Sequence, residues 1–305
     1  LGSSGNDGQL AMLRALELDD DAHLTIAAHA KRRGVGFLST PFDPDSTDFL
    51  IDRMGLDQIK VGSGDMTNAP HLLHLARRGV SVILSTGMAT MDEVKRALGC
   101  LALGYIGGEN PGPDAFLAAL DSPEGQDALR RKVLMLHCTS NYPAPFPEIN
   151  LAVMDTYARL FPCRIGFSDH SEGIFVAVAA VARGAVMIEK HFTLDRTLPG
   201  PDHRASIEPA AFAEMVRGIR EVEQAIGTSE KVPTPSEIDT MSVARKSLIA
   251  TAAIAAGEVF GAHNLGVKRP GGGMAPELYW SLLGRKASRS YAADELLQEL
   301  TGPLT

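Results

Sequence analysis

Short runs of β-branched and aliphatic residues alternate along this chain with longer stretches in which apolar positions recur every three to four residues. The short runs fall at residues 36–39 (GFLS), 58–61 (QIKV), 80–84 (VSVIL), 133–136 (VLML), 164–167 (RIGF) and 186–188 (VMI). Runs of this length, bounded by glycine and polar residues, read as buried strands. The stretches between them read as amphipathic helices at 69–78, 91–103, 151–160, 175–183 and 209–226. Most strands begin about 20 to 30 residues apart, the length of a strand plus its crossover helix. The wider gap at 105–130 predicts a helix-bearing surface insertion.

The pattern changes after Gly227. Residues 228–239 (TSEKVPTPSEID) are polar and hold two prolines, so 228–243 reads as a linker. From 244 to 305 short β segments return, with turns at Gly257 and Gly261 and an RPGGG corner at 269–273. A unit of about 60 residues is expected to have little core of its own.

Parallel strands joined by helices leave two architectures, a TIM barrel or a doubly wound sheet. The residues that follow the strands separate them. The six segments run into STPF, GSGD, STGM, HCTSNYP, SDH and EKHF. A barrel gathers its active site from many strand ends at once. A doubly wound sheet uses one switch point, commonly with a GxGxxG motif that this chain does not contain. Residues 1–227 are therefore read as a TIM (β/α)8 barrel. Such a barrel needs eight strands. The first two βα units are expected upstream, in keeping with an opening LGSSGNDG that reads as a loop and lacks an initiator Met.

Composition narrows the function. The 305 residues are 45% hydrophobic and 22% charged, ordinary for a globular enzyme. No apolar run approaches the roughly 18 residues that span a bilayer, and no signal peptide opens the chain. A net charge of -8 argues against a nucleic-acid groove. Cys100, Cys138 and Cys163 form no CxxC pair, which predicts reduced thiols and a cytoplasmic setting.

Three constellations carry chemistry. His170 and His191 follow successive strands, and strand ends about 5 Å apart can place two imidazoles on one metal with coordination positions left open for substrate; the alternative is two unrelated histidines bonded to nearby loops. Thr40, Ser63, Ser85, Ser140 and Ser168 also follow strands, and Lys60 lies just before Ser63. One serine at a strand end is usually a turn or cap residue. Five hydroxyls around one ring with a lysine suit a phosphate or carboxylate. Asp65 and Asp202 are carboxylates placed for proton transfer or sugar hydroxyls. Asp169 and Glu189 are assigned orienting or structural roles, because neighbours along a strand point in different directions. Tyr142 covers a ligand or closes a loop. His71 and His74 read as surface residues of a helix, and His137 as packed or supporting.

The motifs FLSTPFD, IKVGSGD, ILSTGM, LHCTSNYPAP, IGFSDH, IEKHFTLDRTLPGPDH and VKRPGGG, in this order, resemble those of the bacterial sialic acid synthases and their legionaminic and pseudaminic relatives, from about residue 9 to 300. The resemblance implies a TIM barrel followed by an antifreeze-like (SAF) domain at 244–305. It implies a domain-swapped homodimer in which each small domain caps the partner's site. It further implies that phosphoenolpyruvate condenses with an N-acetylated sugar to give a nonulosonic acid and phosphate. By position, His170 and His191 resemble ligands of a divalent metal, usually Mn2+. Lys60, Thr40, Ser63, Ser85, Ser140 and Ser168 resemble the phosphoenolpyruvate cradle. Asp65, Tyr142 and Asp202 resemble sugar-side groups, and Arg269 the residue offered across the dimer to the N-acetyl group. Asp65 stands where bacterial members often carry glutamate, one methylene longer. The family's AEIG-NHNG and VKFQ motifs, on its first two strands, do not occur. Two other readings compete: a Schiff-base pyruvate aldolase using Lys60 or Lys190, and a non-catalytic sugar-binding relative.

Overall fold

The computed structural model describes residues 11, 14–200 and 202–298; the opening loop 1–8 and Pro201 lie outside them. Two compact units divide at Gly227. In the first, five parallel strands run in chain order: β1 (Gln58–Val61), β2 (Ser81–Ser85), β3 (Val133–Cys138), β4 (Arg164–Asp169) and β5 (Ile188–Lys190). Each neighbour pair is linked by at least one helix, as parallel pairing demands.

Alternation gives the sheet two different faces. Ile59, Val61, Val82, Leu84, Val133, Met135, Ile165 and Phe167 are buried in the main core. There they meet α1 (Ala69–Arg77), α2 (Met91–Tyr105) and α3 (Val153–Leu160). On the other face Ile83, Leu134, Leu136 and Met187 form a smaller cluster. The sheet is curled around that second face. In a flat sheet β1 and β5 would lie about 19 Å apart, four strand spacings, yet Lys60 Nζ on β1 sits 3.5 Å from Glu189 Oε2 on β5. Both side chains lean inward from opposite edges, the arrangement of a TIM-like partial barrel.

The helices have clear local causes. α2 opens on a capping box, with Glu93 N–H donating to Thr90 Oγ1 and Thr90 N–H to Glu93 Oε2. α1 opens on Asn68, whose Oδ1 accepts from His71 N–H. The predicted insertion is two helices, α4 (Pro113–Asp121) and α5 (Pro123–Lys132), each with proline in its first turn. They do more than cover the surface. Ala119, Leu120 and Leu129 enter the core, and a Cβ on Gly99 of α2 would lie 2.2 Å from the Phe116 carbonyl oxygen. Two further helices, α6 (Phe175–Ala182) and α7 (Pro209–Ile226), pack against each other beside β4 and β5.

Residues 36–39 depart from expectation: they are not a strand and form no ladder with β1. His71 also differs. It is 4% exposed, with Nε2 3.3 Å from Thr47 Oγ1, because it occupies the core-facing side of α1; His74, one turn on, pairs with Asp48 at 2.9 Å.

In the second unit β6 (Ser247–Ala250) and β7 (Leu265–Lys268) pair antiparallel. The stretch read as a linker contains α8 (Pro235–Ala244), opened by a capping box of Thr234 and Glu237. The unit has a core of its own, against expectation: Leu248, Ile254, Phe260, Leu265, Leu282 and Tyr291 are buried together. Short bridges between residues distant in sequence, such as Ile254–Tyr291 and Val259–Lys286, close it in place of long strands.

Candidate active site

The inner face of the curled sheet changes from apolar to polar towards the C-terminal strand ends. With Ile83, Leu134, Leu136 and Met187 this face carries Lys60, in register with Ile83, Ser85, in register with Leu136, and beyond them Cys138, Ser168 and Glu189. Register explains the grouping. Cys138 pairs with Ser168, and Ser168 with Glu189, so all three emerge on one side. Lys60 is buried, donates to the Val61 carbonyl at 3.3 Å and faces Glu189. Ser168 Oγ donates to Glu189 Oε1 at 2.7 Å. Ser85 is 2% exposed, and its Oγ has no hydrogen-bond partner. A buried hydroxyl without a partner costs desolvation unless a ligand supplies the bond.

Ser63 and Ser140 meet at Gly87. Gly87 N–H donates to Ser63 Oγ at 3.0 Å, and Ser63 Oγ lies 3.1 Å from Cys138 Sγ. A Cβ on Gly87 would come within 2.3 Å of Ser140 Oγ and 2.8 Å of both Ser63 Oγ and Cys138 Sγ. Glycine is needed there for close approach. Thr40 lies beside the turn after β1, its Cγ2 4.0 Å from where a Gly62 Cβ would be.

His170 and His191 share this face, since each lies two residues beyond an inward side chain. Their ring centroids are 5.4 Å apart. His170 Nδ1 is 2.7 Å from the Thr139 carbonyl oxygen, so it is the donor; Nε2 carries the lone pair and lies 3.4 Å from Ser168 Oγ. Burial holds the His170 pKa below its ordinary value, partly offset by the Thr139 bond. The ring is therefore neutral, the form that binds metals. Tyr142 covers both imidazoles, with centroids 4.2 Å from His170 and 5.3 Å from His191. Burial pushes the Tyr142 hydroxyl up, helped by Cys138, Asp202 and Glu189 nearby. Asp202 Oδ2 stands 3.7 Å from His191 Nδ1. Two imidazoles on one face suit a divalent cation with open positions. Among the described residues no group of three or more His, Cys, Asp or Glu forms a closed metal cage.

Asp65 Oδ1 accepts from Asn68 Nδ2 at 3.3 Å, against the start of α1. Arg269 is exposed in the second unit. Glu189, assigned an orienting or structural role, lies two residues before His191 and so shares its face, beside Lys60 and Ser168. The Asp169 and Lys190 side chains point to the opposite, helix-facing side, where Lys190 Nζ lies 2.7 Å from Asp169 Oδ2. An ammonium held in that pair, away from the polar mouth, is poorly placed as a Schiff-base nucleophile. His137 is packed, its Nε2 2.7 Å from the Ile149 carbonyl oxygen.

A curled parallel sheet with a polar inner mouth, followed by a separate small β unit, defines a βα-barrel enzyme with a C-terminal module. The chain belongs to the NeuB family, whose model matches residues 2–231, and a SAF domain matches 245–299. It is 40% identical over 297 residues to the N,N'-diacetyllegionaminic acid synthase of Campylobacter jejuni, covering 97% of this chain and 82% of that one. It is 33% identical to the human N-acetylneuraminate-9-phosphate synthase, covering 94% and 73%. The crystal structure of an N-acetylneuraminic acid (sialic acid) synthetase from Leptospira borgpetersenii, 28% identical, superposes with a TM-score of 0.66 over 78% of this chain and 74% of that one. No helix among the described residues is long and apolar enough to cross a membrane.

Proposed function

We propose that this chain condenses phosphoenolpyruvate with an N-acetylated aldose, either a 2,4-diacetamido sugar or N-acetylmannosamine, giving a sialic-type nonulosonic acid and phosphate. The observation that carries this reading is the juxtaposition on one inner face of a buried lysine and unpartnered hydroxyl, which suit an anion, with two imidazoles under Tyr142. The names of the relatives support the product class.

In this reading Lys60, Ser63, Ser85 and Ser140 hold the carboxylate and phosphate of phosphoenolpyruvate. They are preorganised by the strands, so little reorganisation is needed as charge shifts. His170 and His191 would hold a divalent cation, Mn2+ by resemblance, which would supply Lewis-acid polarisation of the sugar aldehyde. Glu189 keeps Lys60 and Ser168 aligned. Tyr142 screens the imidazoles from bulk water. C3 of phosphoenolpyruvate attacks the aldehyde carbon, water adds to C2, and the resulting tetrahedral carbon loses phosphate.

The free, buried Cys100, Cys138 and Cys163 suit a reducing cytoplasm. Burial raises the thiol pKa of Cys100 and Cys163 to about 12, which keeps them protonated and unreactive. The homodimer and the role of Arg269 rest on the family resemblance. Mass spectrometry of products from a panel of N-acylated aldoses, with phosphoenolpyruvate and Mn2+, tests the assignment. A nine-carbon keto acid is expected from at least one acceptor; pyruvate adducts trapped by borohydride on a lysine would favour the aldolase instead.

A further inference from the structure

On the helix-facing side of the sheet, directly behind His170 and His191, lies an ion pair that the proposed chemistry does not use. Lys190 and Asp169 end their strands as register partners, and their side chains are 2% and 0% exposed. Lys190 Nζ donates to Asp169 Oδ2 at 2.7 Å and to the Ser171 carbonyl at 2.8 Å. Asp169 Oδ1 accepts from Ser171 N–H at 2.9 Å and from Ser171 Oγ at 2.6 Å. The residues before and after His170, and the one before His191, are thus tied together.

A pair this deeply buried is weak evidence for stability, since well-packed apolar side chains of equal volume often serve as well. Its place in the fold indicates another use. β5 contributes only three register pairs with β4, from Phe167–Ile188 to Asp169–Lys190. The ladder is short, and beyond it only a few bonds, such as Ile207 N–H to the His191 carbonyl at 2.8 Å, hold the strand ends where both imidazoles emerge. The Asp169 carboxylate closes the turn around His170. The same turn places His170 Nδ1 on the Thr139 carbonyl and the His170 carbonyl on Ala144 N–H at 2.9 Å. Lys190 spans from the second strand into that turn.

We infer that the Asp169–Lys190–Ser171 bridge is a positioning device that fixes the separation and orientation of His170 and His191, and through them the affinity for a divalent cation. The inference rests on the two-histidine reading above. Partners that orient metal ligands from behind typically contribute about 10- to 100-fold in affinity.

The test is a titration of the full chain with Mn2+ alone, following the free aquated ion by electron paramagnetic resonance. The Asp169→Asn/Lys190→Met double variant removes both charges together, so no unpaired buried charge remains. Its Kd for Mn2+ is expected to rise about tenfold or more. A Kd within twofold of wild type, with only a lower Tm, would make the bridge merely structural and overturn the inference. If the double variant does not fold, Ser171→Ala removes a single bond and is expected to weaken Mn2+ roughly threefold; an unchanged Kd overturns the inference equally. Failure of the wild type to bind Mn2+ would overturn the two-histidine reading, and the positioning role with it.

Discussion

His71, His137 and His170 share a physical condition: burial is the largest cause lowering the pKa of each below the ordinary value of 6.5. The unfolded chain therefore binds protons at these positions more readily than the folded one. Linkage then gives the sign. Stability is fully present above the unfolded value and is lost as pH falls through it towards the folded values. Thermal melts should show Tm dropping as pH is lowered through about 6.5, well before the carboxylates Asp43 and Asp195 titrate below 3.8. His137→Gln should make that slope shallower; an unchanged slope would mean that the ring already exchanges protons with solvent in the native state. Single residues were legible in the sequence only where parity was applied throughout. Ser168 and His170 fall in separate constellations and Glu189 beside Asp169, although counting back two from each histidine puts Ser168 and Glu189 on the inner face and leaves Asp169 on the other. His71 was misread because a helix two turns long presents more than one face to a core. Position along the chain does not say which.

At the level of elements, five strands and the helices between them followed from the pattern of apolar positions, with ends displaced by one or two residues. The unpaired 36–39 segment did not, since pairing depends on a neighbour that composition cannot supply. The turn after β2 is where an element sets the site. Gly87 lets Ser63, Cys138 and Ser140 converge, and a methyl group there would meet their side chains at 2.3 to 2.8 Å. Those atoms can swing aside, so the fold should survive while the anion cradle is displaced. Gly87→Ala is expected to raise KM for phosphoenolpyruvate about tenfold, from the loss of one or two hydrogen bonds, with KM for the sugar little changed. Steady-state kinetics varying each substrate separately check this. An equal change in both constants would place Gly87 outside the anion side.

For the whole molecule, curling brings Lys60 and Glu189 together from opposite edges of the sheet, so that the groups proposed for the anion and those proposed for the metal share one mouth. The motif order signalled that mouth before any geometry, because a ring of strand ends is the one place where six separate motifs can meet. A site shared between two subunits is an expectation that comes from the resemblance alone. If each site takes Arg269 from the partner subunit, mixing inactive Arg269→Ala and His191→Ala proteins under subunit exchange should restore activity, as some mixed dimers hold one intact site. No recovery despite demonstrated exchange would mean that each subunit caps itself. The central claim, that this mouth joins phosphoenolpyruvate to an acetylated sugar, is tested most directly by phosphorus-31 NMR of the full chain with phosphoenolpyruvate, Mn2+ and the acceptor sugar. The account predicts conversion of the phosphoenolpyruvate signal into inorganic phosphate only when the sugar is present, and at least tenfold slower conversion at subsaturating phosphoenolpyruvate in Lys60→Met, roughly the loss of one charged hydrogen bond. Phosphate release independent of the sugar, or undiminished in Lys60→Met, would contradict it.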